Sequence, residues 1–181
     1  LTVVSPADCV EIIKVIHAAA KFDGPMYIRL TGAVNNPPVY FEDYEFEIGK
    51  AIKLKQGSDV SIIACGTMVY ESLEASKILE LNGLSTSVIN MHTLKPLDTE
   101  MIDECLNSTK LIVTVEEHTI IGGLGSAVAE YKSAFKNVPP QCIIGLPDIF
   151  GVTAEYRFLL EKYRLVGDKI AIDIQKFLQK K

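Results

Sequence analysis

The chain has no tryptophan, no CxxC pair and only three histidines among its 181 residues. Each shortage excludes something. Cys9, Cys65, Cys105 and Cys142 are widely spaced, and His17, His92 and His118 stand far apart, so no spacing suits a structural zinc site. A core of this size needs no disulfide staples. The four thiols read as reduced and intracellular, mostly as small core residues. No apolar run approaches the roughly 20 residues that cross a bilayer, so no membrane partner is expected. Lysine and arginine are not clustered and the net charge is −5, which leaves no electrostatic footprint for nucleic acid. The terminal Lys180-Lys181 reads as a solvated tail. No signal peptide is visible. The chain opens so abruptly at Leu1 that a further segment upstream is expected.

What is present is a core. The hydrophobic fraction is 48% and the charged fraction 23%, ordinary for a soluble globular protein and enough for one full domain plus a fragment or linker. Leu1 to Val4 reads as the end of a strand. A helix follows from Ser5 or Pro6 to about Lys21, and Met26 to Leu30 is a second short strand. A strand, a helix and a strand cannot close a core alone, so this stretch looks like the tail of a larger α/β domain. Asn35-Asn36-Pro37-Pro38 blocks regular structure. Tyr40, Phe41, Tyr44 and Phe46 then argue for a connector packed along the surface.

From Ala51 the rhythm is regular. Strands are expected at 51–55, 59–65, 84–90, 111–115 and 141–145. Helices are expected at 68–82, 98–107, from the glycine-rich turn onward, 154–163 and 168–180. Alternation of this kind predicts a mostly parallel sheet of about five strands, covered by helices on both faces in three α/β/α layers. In such sheets ligands gather at the carboxyl edge. The loops there would carry His92, Lys95, Glu116, Glu117, His118 and Asp148.

The richest stretch is LIVTVEEHTIIGGLGSAVAE, residues 111–130. It reads as a strand to Val115, a charged turn, a glycine-rich turn and a helix. That helix would place Leu124, Ala127, Val128, Tyr131, Ala134 and Phe135 on one face. Glu117 beside His118 suits an acid/base pair, but no nucleophile stands near. A hydrogen-bonding hub or a subunit interface built from Glu116, Glu117, His118, Gly122, Gly123 and Gly125 is favoured. GxGxxG fails at Val128, against a dinucleotide site. A small anion at the helix N-terminus is the alternative to glycine serving close packing. Lys95 reads as a solvated loop lysine. Arg29, ending the strand YIRL, suits either a bidentate phosphate or carboxylate clamp or a structural ion pair.

Taken together, GPMYIRL, FEIGKAIKLKQGSDVSIIACGTMVYESLEAS, VINMHTLKPLD, TVEEHTIIGGLGSAVAE and DIFG resemble the carboxyl-terminal half of thiamine-diphosphate enzymes of the transketolase group. The match runs over almost the whole chain. His92-Thr93 ahead of Lys95-Pro96 looks closest to the split transketolases. The resemblance implies three parts: residues 1–32 as the end of a pyrimidine-binding domain, 33–50 as a connector, and 51–181 as a transketolase carboxyl-terminal domain. It implies a cytoplasmic transferase of the pentose phosphate pathway type. The intact enzyme would move a two-carbon ketol unit between sugar phosphates, with thiamine diphosphate and Mg. The partners implied are the missing amino-terminal domains or subunit, in a homodimer or heterotetramer. The family's catalytic glutamate and aminopyrimidine pocket would lie upstream of Leu1, so the fragment alone would bind no cofactor and be inactive. Arg29 matches the arginine that contacts the substrate phosphate. Two positions depart from the pattern: Arg164 stands where glycine is usual, and Cys65 where threonine is common. Deoxyxylulose-phosphate synthase and the beta subunit of a 2-oxo-acid dehydrogenase share the architecture and are the competing enzyme readings. A self-standing dimerisation or regulatory module is the competing non-enzyme reading.

Overall fold

The computed structural model describes residues 1–31 and 36–179. The start of the expected connector, Ala33 to Asn35, and the Lys180-Lys181 tail lie outside the described residues, as does Gly32. Three elements come first: β1 (Thr2–Val4), α1 (Cys9–Ala19) and β2 (Met26–Ile28). The helix starts later than proline alone suggested. Asp8 is its N-cap, accepting the Glu11 N–H at 2.8 Å, so the first turn begins only at Cys9. Beyond the connector lie β3 (Ile52–Lys55), β4 (Val60–Ala64), α2 (Met68–Leu81), β5 (Thr86–Asn90), β6 (Thr93–Lys95) and α3 (Thr99–Ser108). The chain continues through β7 (Leu111–Thr119), α4 (Leu124–Lys132), β8 (Gln141–Leu146), α5 (Tyr156–Lys162) and α6 (Gly167–Gln179). Asp98 caps α3 through the Met101 N–H at 3.1 Å, as its position predicts, and its other oxygen takes the Ala51 N–H at 2.7 Å.

The large sheet has the order β3-β5-β4-β7-β8, with β3 antiparallel and the other pairs parallel. Successive side chains of a strand point to opposite faces. Val60, Ile62 and Ala64 of β4, with Leu111, Val113 and Val115 of β7, therefore share one core with Ala75 and Leu79 of α2 and Ile170, Ala171 and Ile174 of α6. Ile63, Ile89 and Ile112 face the other core, with Ile102 and Cys105 of α3 and Leu124 and Val128 of α4. This is the three-layer arrangement expected.

Three expectations change. The stretch Met91 to Pro96 is not all loop. Its centre is β6, which pairs antiparallel with β1 in a second sheet of order β2-β1-β6. No local pattern announces a three-residue strand whose partner lies some ninety positions away in sequence. The α4 helix stops at Lys132, so Ala134 and Phe135 are exposed and Lys132 is buried instead. Cys65 and Cys105 are core residues, but Cys9 is exposed on the first turn of α1.

The described part of the connector is fastened by polar groups. Asp8 accepts the N–H groups of Val39 and Tyr40 at 2.7 and 3.0 Å. Tyr40 is buried and stacks on Tyr44, with ring centroids 3.9 Å apart, while Phe41 is exposed. Tyr44 and Asn90 both donate to the buried Glu11 carboxylate, which also accepts the Ala7 N–H at 2.6 Å. Burial pushes the Glu11 pKa above the usual carboxylate range against those hydrogen bonds.

Candidate functional site

The site forms where β7 outruns its expected end. β7 continues to Thr119, so Glu116, Glu117 and His118 are strand residues, not a turn. The ladder with β8 slips between Val115 and Thr119, an irregularity of the kind common at sheet rims beside functional sites. Strand alternation then separates the acidic pair. Glu116 points with Ile112 and Thr114 toward α4, and Glu117 points toward α2 and α5.

Glu116 is 1% exposed, and its two oxygens accept the N–H groups of Leu124 and Gly125 at 2.7 and 2.8 Å. These are free donors of the first turn of α4, and a carboxylate there also meets the positive end of the helix dipole. The place that the alternative reading gave to a small anion is taken by the chain's own carboxylate. Gly123 is the N-cap, and its missing side chain is what admits Glu116. A Cβ there would lie 1.9 Å from the nearer carboxylate oxygen. Gly125 is similarly enclosed, since a Cβ would meet the Ile143 side chain at 2.5 Å.

Glu117 ties together four segments. Its carboxylate accepts from the Thr67 hydroxyl, at the N-cap of α2, at 2.8 Å, and from the Tyr156 hydroxyl of α5 at 2.7 Å. Its backbone carbonyl accepts from Arg29 Nη2 at 2.7 Å, just beyond β2. His118 is half-exposed; its Nδ1 lies 3.0 Å from the Thr119 carbonyl and 4.0 Å from Glu116, outside hydrogen-bond reach of the acid. With both carboxylates engaged elsewhere, the acid/base alternative for Glu117 and His118 is not assembled.

Arg29, Glu116, Glu117, His118, Gly122 and Gly123 line one cleft of ≈ 250 Å³ between the two sheets. Cys65 lies beside it, and burial pushes its thiol pKa up to about 12, so it does not serve as a thiolate at neutral pH. The other expected edge residues go elsewhere. His92 is fully buried, its ring tilted against Phe46 with centroids 4.4 Å apart, while Lys95 and Asp148 are exposed and outside the cleft lining. Sequence reasoning missed Thr67 and Tyr156. Thr67 carries a weak signal as the residue before a helix, and Tyr156 carries none. Among the described residues no three His, Cys, Asp or Glu side chains are grouped to hold a metal ion.

A mostly parallel sheet in three layers, with the chain's own glutamate capping a glycine-rich helix start at the carboxyl edge, defines a class of α/β domain rather than a reaction. Residues 49–170 match the family model described as transketolase, C-terminal domain, and the chain belongs to that family. It is 38% identical over 99% of its length to a putative transketolase C-terminal section of Methanocaldococcus jannaschii, covering 56% of that protein. It is 36% identical over 99% of its length to a 1-deoxy-D-xylulose-5-phosphate synthase of Dictyoglomus thermophilum, covering 29% of it. Among solved structures, a split-gene transketolase described as an inactive beta4 tetramer superposes with a TM-score of 0.88 at 40% identity, over 97% of this chain and 56% of that one. The chain thus spans about half the length of the transketolase relatives named here.

Proposed function

We propose that the chain is the carboxyl-terminal part of a transketolase. The intact protein would transfer a two-carbon ketol unit between sugar phosphates using thiamine diphosphate and a divalent metal. Residues 1–32 would close a pyrimidine-binding domain, 33–50 would connect, and 51–181 would form the carboxyl-terminal domain. Thiamine diphosphate supplies the carbanion chemistry when bound. With no metal-holding cluster among the described residues, the residues that hold its diphosphate and metal would belong to the rest of the protein. The exposed apolar residues Leu1, Ile13, Ile16, Tyr27 and Leu30 around β1, α1 and β2 support contact with such a remainder, in the same chain or another subunit.

The observation that carries the reading is Arg29. It stands just beyond β2 at the cleft between the sheets, donates Nη2 to the Glu117 carbonyl, and has further N–H donors to offer a phosphate. In the intact enzyme Arg29→Ala should cost about 1.5–3 kcal/mol of substrate binding, the scale of a hydrogen bond to a charged group. The loss should appear as a raised KM for phosphorylated sugars and spare unphosphorylated ones. Equal losses for both would assign Arg29 to structure. Calorimetric titration of the 181-residue chain with thiamine diphosphate and Mg should show no saturable binding.

The Glu116–Gly125 segment supports structure and a subunit contact in this reading. His118→Ala should leave kcat within about tenfold, short of the 10²–10⁴ of a lost general acid or base. A second reading, part of a deoxyxylulose-phosphate synthase, is favoured by the relative of that name. Assaying the intact protein for condensation of pyruvate with a triose phosphate separates the two.

A further inference from the structure

If Arg29 is to meet a phosphate, its charge must not be neutralised by its neighbours, and Glu117 is in contact with it. That contact is made only by the Glu117 backbone carbonyl. Among the described residues Arg29 stands in no ion pair with this or any other carboxylate. The Glu117 carboxylate is instead turned to the α2 and α5 side, where two hydroxyls donate to the same oxygen at 2.8 and 2.7 Å. The two hydroxyl oxygens, of Thr67 and Tyr156, are themselves 2.9 Å apart, so both sit on the same carboxylate oxygen side by side, each with its single proton directed to Glu117. Burial pushes the Tyr156 phenol pKa up, which keeps it a donor at neutral pH. Two hydrogen bonds to an ionised group are a substantial hold. A carboxylate released from them would be drawn to the nearest guanidinium, in a half-buried setting where attraction is stronger than in water.

We propose that Thr67 and Tyr156 form a hydroxyl clamp that holds the Glu117 carboxylate away from Arg29 and so keeps the guanidinium free for a substrate phosphate. Tyr156 is a positioning residue: it acts on substrate affinity through Glu117 without touching substrate. The proposal rests on the reading of Arg29 as the phosphate contact.

The test is steady-state kinetics of the intact enzyme with a phosphorylated aldose acceptor and its unphosphorylated analogue. Tyr156→Phe should raise KM for the phosphorylated acceptor about fivefold, the scale of one partly exposed ion pair, with the loss in KM rather than kcat. The unphosphorylated acceptor should be unaffected. Adding Glu117→Gln should restore the KM, because the amide no longer competes for Arg29 while the backbone carbonyl remains. Thr67→Val removes the other hydroxyl with little change of shape and should behave alike, which covers a failure of Tyr156→Phe to fold. An unchanged KM in both single variants, or a raised KM that Glu117→Gln does not restore, overturns the clamp. Arg29→Ala separates the two levels. If it is selective for the phosphorylated acceptor while the clamp variants are silent, only the clamp fails. If it penalises both acceptors equally, the phosphate reading fails and the clamp with it.

Discussion

Every residue of β4 and β5 is buried, whereas none of β2 is. The five-stranded sheet is enclosed by α2 and α6 on one face and α3 and α4 on the other, and both faces are apolar. The three-stranded sheet has three residues per strand, and the outer side of α1 leaves Ile13 and Ile16 at 61% and 50% exposure. Its attachment to the rest is largely polar. Asp8 and Glu11 gather the connector, Asn90 and two tyrosines, and Arg29 reaches Glu117. One region is held by area removed from water, which is non-directional. The other is held by directional bonds, whose loss leaves buried groups unsatisfied.

The largest expected break is in the large sheet. Leu79→Ala on α2, at a fully buried position, should destabilise by about 2–5 kcal/mol, read as a lower denaturant midpoint. The matching truncation on the small side, Ile16→Ala, should stay within about 0.5 kcal/mol. Similar losses at both positions would erase the contrast.

Acid should act at the junction. Burial holds the His92 pKa down to about 4, opposed by its contact with the Lys50 backbone and the Asp98 charge. Its folded value lies below the unfolded 6.5, so the unfolded chain binds more protons between those values. Stability from His92 is therefore complete above about pH 6.5 and falls on acidification toward pH 4, by about 3 kcal/mol in all. Glu11 has a raised pKa and works the opposite way, gaining relative stability as pH falls. His92→Phe should flatten the acid limb of a stability–pH curve. A variant as acid-sensitive as the parent would place the titration elsewhere.

Gly123→Val comes next. Its side chain would occupy the place of the Glu116 carboxylate, uncapping α4. About 1–3 kcal/mol should be lost, seen as a lower Tm and as earlier hydrogen exchange at Leu124 and Gly125. No loss would mean that the helix start does not depend on that carboxylate.

The smallest effect is expected at Arg164. It has φ +63°, a left-handed conformation that favours glycine, and pairs through two nitrogens with Asp173 at 2.8 and 2.6 Å. Arg164→Gly removes backbone strain of about 1–2 kcal/mol. It also loses a partly exposed ion pair worth about 1 kcal/mol or less, and frees the unfolded chain by about 0.4–1 kcal/mol. The terms nearly cancel, so a Tm within a few degrees of the parent is expected. A large drop would show the ion pair to be the stronger term.

The sequence by itself determined the elements of the large sheet and their layering. The signals are local: short, largely apolar runs at 59–65 and 111–115, the Asp98 cap, and helices spaced between strands. It also marked Arg29 and the Glu116–Gly125 segment by residue type. Only the tertiary structure decided what these residues do to one another. Glu117 meets Thr67, Tyr156 and Arg29 across 50, 39 and 88 positions of sequence, and β6 exists because β1 lies beside it. Strand extension past Val115 turned a presumed charged loop into alternating positions. One acid became a helix cap and its neighbour a link between segments. Period-2 alternation is a property of the local backbone and can be read along the chain. Which groups wait on each side is set by how distant segments pack, and no local pattern encodes that.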